Sequence, residues 1–340
     1  MRFTVIGAGA IGGTLGAYMA RGGEEVEFAD RAKDHVAAMK SKGLTIKAFD
    51  GPFTVPVNAV TLDELKGPID VALLAVKAQD TRAAVASIRP LLGPTSAVVS
   101  LQNGLCEPVI ADLIGAERTI GAFINFNADY LEPGVIHYGG PGAFFVGEID
   151  GEMSDRVDEM VRRFSHWGAV RATDNIFGYL WSKLGYANML YATALVDEPM
   201  ADVIDRHRRL MIELACEVYD AADTEGIHLE PFDNVEPYLY FPRESQDWEA
   251  IDRSLDSLVA LMRKSEKQKT GVWRDLAVRK RKTEVDYHLG AAAEVGGRRG
   301  LRMPLTHRLI DMIHEVEGGQ RSMGWANVDE LEALLAHERV

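Results

Sequence analysis

The stretch Phe3-Thr4-Val5-Ile6-Gly7-Ala8-Gly9-Ala10-Ile11-Gly12 (FTVIGAGAIG) decides the fold of this chain. Its first four residues are short, apolar and partly β-branched, the pattern of a strand buried in a parallel sheet. The glycines follow at once, and Thr14 to Arg21 then carries Leu15, Tyr18 and Met19 at helical spacing up to Gly22-Gly23. GxGxxG alone is a weak signal. Between a strand and a helix it predicts a dinucleotide site. Gly7 permits the tight turn, Gly9 lets a pyrophosphate approach the backbone, and Gly12 lets the helix pack close to the strand. The helix start, around Ala10 and Ile11, offers N–H groups to the phosphates.

The pattern continues outward from this stretch. Val26 to Ala29 reads as the second strand, ending at Asp30-Arg31, and residues 34–42 look helical. Segments near 44–48 and 53–60 read as short strands or a hairpin. Ile69 to Val76 is a buried strand, 79–92 a helix, Ala97 to Leu101 a strand and 107–114 a short helix. Ile120 to Phe126, Val135 to Tyr138 and Ala143 to Val146 read as strands. Ser154 to Trp167 is an amphipathic helix, and Val170 starts a last strand. Strands alternating with helices imply a mostly parallel sheet with helices on both faces. After about residue 174 only helical patterns remain, at 176–196, 203–225, 247–264, 283–295, 305–317 and 328–338, the last with Asn327 and Glu330 as a capping box. The expected fold class is α/β: an N-terminal doubly wound Rossmann sheet, residues 1–174, binding the dinucleotide, then an all-helical domain, 175–340, for substrate and dimerisation.

Composition narrows the function. A chain of 340 residues accommodates two domains and a substantial core. The two cysteines, Cys106 and Cys216, are far apart and fit no CxxC pattern, which argues against a disulfide framework or structural zinc and for a reducing cytoplasm. The net charge of −14 disfavours nucleic acid and anionic membrane as partners. No apolar run approaches the roughly 20 residues of a membrane span. The basic run Arg279 to Lys282 reads as a solvated face, with a local anion site as the alternative. His137, His228 and His288 are scattered and read as surface or loop residues, so no metal site is expected. Without a GxSxG elbow a serine hydrolase is not expected.

Asp30 and Arg31 disagree about the cofactor. A carboxylate at the end of the second strand can accept from both ribose hydroxyls and repels a 2′-phosphate, which argues for NAD. The adjacent Arg31 could bind that phosphate, which argues for NADP. Physics alone leans slightly to NAD. Two polar turns follow later strands, where ligands sit in such a sheet. Lys77 could contact cofactor phosphate or ribose. Asn103 could bond the nicotinamide ribose or a substrate carbonyl, unless Asn103-Gly104 is simply turn chemistry.

Taken together, GAGAIG at 7–12, AVKA at 75–78, QNG at 102–104, EPGVIHYGGPG at 132–142, WSKL at 181–184 and TEVD at 283–286 resemble the ketopantoate reductase family, in order and over nearly the whole chain. The resemblance implies reduction of a 2-keto acid with NADPH, with Lys183 donating the proton. Chemistry supports that role, because hydride delivered to a ketone leaves an alkoxide that needs an acid. Without the resemblance Lys183 would read as a solvated lysine. The resemblance also implies that Asn103 contacts cofactor and substrate and that Glu284 lies beside them. Glu284 reads equally as a first-turn acid on a helix starting near Thr283.

The chain departs from the family just after Lys183. Family members place substrate-holding asparagines four and eight residues after the lysine, and Ala187 and Tyr191 stand there. Asn188 comes one residue late, about 100° around a regular helix. Asn188, Tyr191 and, in the family's serine-rich segment, Thr270 are the candidate substrate contacts. The expectation is a retained mechanism with an altered 2-keto or 2-hydroxy acid, since changing a site's donors changes its choice. The competing expectations are an opine or 6-phosphogluconate type dehydrogenase, and a dinucleotide-binding sensor without catalysis. Amphipathic helices in the second domain allow a homodimer, which the sequence does not decide against a monomer.

Overall fold

The computed structural model describes residues 1–338, so the last two residues of the expected helical domain lie outside it. The chain divides into two compact units, Met1–Ile176 and Phe177–Val340. The first is an α/β Rossmann unit and the second is helical, as the sequence pattern predicts.

The first unit runs β1 (Phe3–Ile6), α1 (Ala10–Arg21), β2 (Val26–Asp30), α2 (Lys33–Lys42), β3 (Leu44–Ala48), β4 (Phe53–Val55), β5 (Asn58–Thr61) and β6 (Ile69–Leu74). It continues with α3 (Thr81–Ile88), β7 (Leu92–Ser100), α4 (Glu107–Ile114), β8 (Thr119–Ile124), β9 (Asn127–Glu132), β10 (Val135–Gly140), β11 (Phe144–Glu148), α5 (Asp155–Phe164) and β12 (Arg171–Ala172). The main sheet has the order β12-β11-β8-β7-β6-β1-β2-β5 and is parallel except where β11 meets β8. Alternation sends Phe3 and Val5 to the core on one face and Ile6, with Ala72 and Leu74 of β6, to the core on the other.

One face differs from the expected layer of helices. A second sheet, β4-β3-β10-β9, covers α1 there, so α1 touches both sheets. Its sequence makes this possible. A Cβ on Gly12 would lie 2.4 Å from the Gly7 carbonyl oxygen, and one on Gly13 would lie 2.3 Å from Ile136 of β10. Neither position has room for any side chain.

The second unit holds α6 (Ile176–Thr193), α7 (Met200–Arg206), α8 (Arg208–Thr224), α9 (Pro237–Tyr240), α10 (Trp248–Lys264), α11 (Gly271–Trp273), α12 (Val285–Arg298), α13 (Pro304–Glu317) and α14 (Trp325–Glu338). Helix α8 is its axis, buried from Leu210 to Tyr219 and packed against α12, α13 and α14. The expected helix over 203–225 is in fact two, broken at His207 (φ −121°, ψ 39°), which is buried and pairs with Glu332. The expected capping box is also absent. Asn327 lies inside α14 and its amide donates to the carbonyls of Leu195 (3.0 Å) and Ser322 (2.9 Å). A buried pair of carbonyls outbids the local motif. Among the described residues no helix is long and apolar enough to cross a membrane, and no cluster of His, Cys, Asp and Glu could hold a metal.

Candidate functional site

In the first unit, parallel register sets three candidate segments side by side. Ile6 pairs with Leu74, and Leu74 pairs with Ser100. The glycine turn, Lys77 and Asn103 therefore leave the same edge of the sheet, at the carboxyl ends of β1, β6 and β7, where open sheets bind ligands. Gln102 ties two of these turns together, donating to the Val76 carbonyl (2.9 Å) and the Thr81 hydroxyl (2.8 Å). Asn103 is exposed and Lys77 partly so.

The glycine turn fits a dinucleotide. Gly7 has φ +94°, open to glycine alone in practice, and its N–H donates to Ala29 (2.8 Å). Gly9 caps α1 without a side chain, and a Cβ built there would meet no protein atom within 4 Å. Packing inside the protein therefore does not require a glycine at this point, whereas close approach of a ligand does. Ala10, Ile11 and Gly12 supply first-turn N–H groups that have no acceptor within the helix.

Asp30 faces the turn. Its Oδ2 accepts from Ala8 N (2.8 Å) and its Oδ1 from Ala32 N (2.8 Å), so the carboxylate braces backbone on both sides. Arg31 is the exposed member of the pair, with 75% of its side chain accessible and a 3.2 Å ion pair to Asp80. Such a surface pair holds loosely.

Below the Asn103 turn lies Glu107, fully buried, with neither carboxylate oxygen in hydrogen-bond geometry with a partner. Burial pushes its carboxyl up from 4.5 to about 7, while nearby backbone amides and the Ser100 hydroxyl pull the other way. The folded-state value is raised, so stability is lost as pH climbs from about 4.5 to about 7 and is level above that. The loss is on the order of 3 kcal/mol. Glu107→Gln removes it. The melting temperature of the variant should match the wild type at pH 5 and exceed it at pH 8. An equal shift at both pH values would mean that Glu107 carries no such penalty.

In the second unit, α6 carries Lys183 between two fixed neighbours. A Cβ on Gly185 would lie 2.1 Å from the Tyr219 ring, whose hydroxyl donates to the Ser182 carbonyl (3.2 Å), and the Ser182 hydroxyl accepts from Glu230 N (3.0 Å). Lys183 as a residue is partly buried. Burial lowers its ammonium from 10.5 to about 8, with Asp233 opposing the shift and Lys267 adding to it.

Tyr191 lies two turns along the same face of α6. Burial, then the charge of Glu284 and other carboxylates, raises its phenol well above 10, so it keeps its proton, and its hydroxyl shares a hydrogen bond with His288 Nδ1 (3.1 Å). His288 stands four residues after Glu284 on α12 and is only 8% exposed, correcting the expectation of a surface histidine. Glu284 is the N-cap of α12 rather than a first-turn residue, and its side chain makes no capping bond.

Other candidates go elsewhere. Asn188 is fully buried, donating to the Leu214 carbonyl (2.7 Å) and the Thr306 hydroxyl (2.9 Å). Thr270 caps α11, accepting from Trp273 N (3.0 Å). The basic run 279–282 is exposed, with Arg279 and Arg281 both paired to Asp275. Sequence reasoning missed His35, Glu107, Asp233 and His288. Only His288 had a usable signal, its spacing of one helical turn from Glu284.

Family models described as "Ketopantoate reductase PanE/ApbA" and "Ketopantoate reductase PanE/ApbA C terminal" match residues 3–151 and 175–317. A 2-dehydropantoate 2-reductase of Pyrococcus horikoshii is 32% identical over 186 residues, spanning 54% of this chain and 60% of that protein. The enzyme of the same name from Pyrococcus abyssi is 28% identical over 319 residues, covering 92% of this chain and 97% of the relative. Among solved structures, D-mandelate dehydrogenase with NADH and anilino(oxo)acetate shares the fold with a TM-score of 0.79 at 20% identity, over 94% of this chain and 99% of that one.

Proposed function

Because the chain belongs to the ketopantoate reductase family and is thus an NAD(P)-dependent 2-keto acid reductase, we propose that it works with NADPH and with Lys183 as the proton donor. The observation that carries this is the Lys183 amine, lowered to about 8, protonated at neutral pH yet ready to release its proton. The bound dinucleotide supplies the hydride. Gly9 and the first turn of α1 hold its pyrophosphate, with Lys77 and Asn103 beside it at the same sheet edge. Glu284 is a polar partner at the substrate. Arg31, exposed and next to the N-terminus of α2, is the group for a 2′-phosphate, beside an Asp30 carboxylate whose charge is partly met by the N–H groups of Ala8 and Ala32.

The substrate is a 2-keto acid, and we place its preference away from 2-dehydropantoate. Tyr191 and His288 bond each other where the family has an asparagine amide, and Ala187 offers no donor at all. Asn188 and Thr270 have structural duties and are given no substrate role.

Steady-state assays with 2-dehydropantoate and a panel of 2-keto acids test the proposal. Turnover should favour NADPH, and Arg31→Ala should weaken NADPH by about tenfold or more while sparing NADH. A 2-keto acid other than 2-dehydropantoate should have the highest kcat/KM. Victory of 2-dehydropantoate by orders of magnitude would reject the altered preference. Tight dinucleotide binding with no turnover on any keto acid would favour a sensor.

A further inference from the structure

His35, in the first turn of α2, is fully buried and belongs to none of the motifs above. Its Nδ1 accepts from Gly134 N (2.9 Å), at the β9–β10 turn. That bond fixes the tautomer, so the ring proton sits on Nε2, which donates to the Ala8 carbonyl (2.8 Å). The Tyr130 ring stands edge-on to it, with centroids 5.1 Å apart. Ala8 lies between Gly7 and Gly9, and its own N–H is held by Asp30. Ala8 is thus pinned at its N–H by the last residue of β2 and at its carbonyl by the first turn of α2.

The geometry of the peptide unit makes this matter. In a trans peptide the carbonyl and the following N–H point in opposite directions. The carbonyl of Ala8 is drawn inward to a buried imidazole, so the N–H of Gly9 faces the other way. Around Gly9 itself there is open space, since a Cβ built there would meet no protein atom within 4 Å. A flip of the Ala8–Gly9 peptide turns φ of Gly9, which as a glycine resists it little, so the carbonyl bond is what holds the setting.

We propose that His35 is a positioning residue for the dinucleotide: it sets the Ala8–Gly9 peptide so that the Gly9 N–H is presented to the pyrophosphate, and it ties that setting to the β9–β10 turn. This rests on the glycine turn being the dinucleotide site.

Two substitutions separate positioning from simple core packing. His35→Gln places an amide nitrogen near the former Nε2 and keeps the donor for Ala8, but loses the acceptor for Gly134. His35→Asn keeps an oxygen near the former Nδ1 and loses the donor for Ala8. Both leave one buried bond broken and should lower Tm similarly. Dinucleotide affinity, measured by calorimetry without substrate, should fall about tenfold or more in His35→Asn and stay within about threefold of wild type in His35→Gln. Equal losses in the two variants, or wild-type affinity in His35→Asn, would overturn the proposal. If either variant fails to fold, 15N NMR of the histidine ring in wild-type protein decides. A proton on Nδ1 rejects the arrangement, and a proton on Nε2 with a resonance that shifts on adding dinucleotide supports it. Wild-type protein that binds no dinucleotide would instead refute the underlying reading of the glycine turn.

Discussion

Lys183→Ala is expected to lower kcat for keto-acid reduction by about 10²- to 10⁴-fold, the usual worth of a positioned proton donor. Dinucleotide affinity should stay within about twofold, because the glycine turn belongs to the other unit. The wild-type pH profile carries the same signature. The ammonium is the donor, and burial brings it to about 8. Below that value the acid is present and reduction is level. Above it the amine can no longer donate, so kcat/KM for reduction should fall about tenfold per pH unit. Oxidation of the 2-hydroxy acid needs the neutral amine and should rise over the same range. Lys183→Arg keeps the charge but holds its proton too firmly, so it should remain close to Lys183→Ala in kcat. A profile flat to pH 10, or a variant as active as wild type, would remove Lys183 from the chemistry. The lowered value also means that the folded state disfavours the ammonium, so Lys183→Met should be more stable than wild type at pH 7. A gain in stability with a loss of turnover is the mark of a group kept for function.

The second large effect comes from comparing two glycines three residues apart. A methyl group on Gly12 would lie 2.4 Å from a backbone oxygen, 2.7 Å from Ala75 Cβ and 2.9 Å from Val5. None of these atoms ends a flexible chain, so α1 must shift from β1. Gly12→Ala should cost about 3 kcal/mol or more in stability. Gly9 has an ordinary φ of −73° and open space around its Cβ position, so Gly9→Ala should cost less than about 1 kcal/mol. The same methyl would occupy the place of the pyrophosphate, and dinucleotide affinity should drop by about 100-fold. Denaturant unfolding and calorimetric titration of both variants give a crossed pattern. Full affinity in Gly9→Ala would show that no phosphate approaches the turn.

Much of the fold was legible because its signals are local. Buried strands such as β6 carry apolar runs, Val71 to Leu74 there, and α5 has its Ser154 cap and an apolar stripe. Strands β3, β4 and β10 of the second sheet were legible singly, but β9 and the union of the four in a separate sheet were not. Strand β9, Asn127–Glu132, is half-exposed, with no apolar run and no alternation, and it exists because β10 lies beside it. The break at His207 has neither glycine nor proline; the buried His207 ring pairs there with Glu332, 125 residues later. At the candidate site, Gly9 and Lys183 could be named from motifs. Asn188 could not be resolved from helix angles, because a bond to Thr306 of α13, 118 residues away, holds it in the core. His35 depends on Gly134, 99 residues later, and nothing in the neighbouring sequence announces it.

That last separation has a consequence for how the protein is made. The residues that cradle a phosphate leave the ribosome among the first dozen, yet the bond that fixes the His35 ring waits for Gly134, 99 residues after His35, and β10, which covers α1, follows it. At common elongation rates the delay is roughly 5 to 20 s. Through that interval β3 also lacks its partner β10, and its edge is bare. A nascent chain shorter than about 140 residues should therefore gain little protection from added nucleotide, although its entire glycine motif has long been translated.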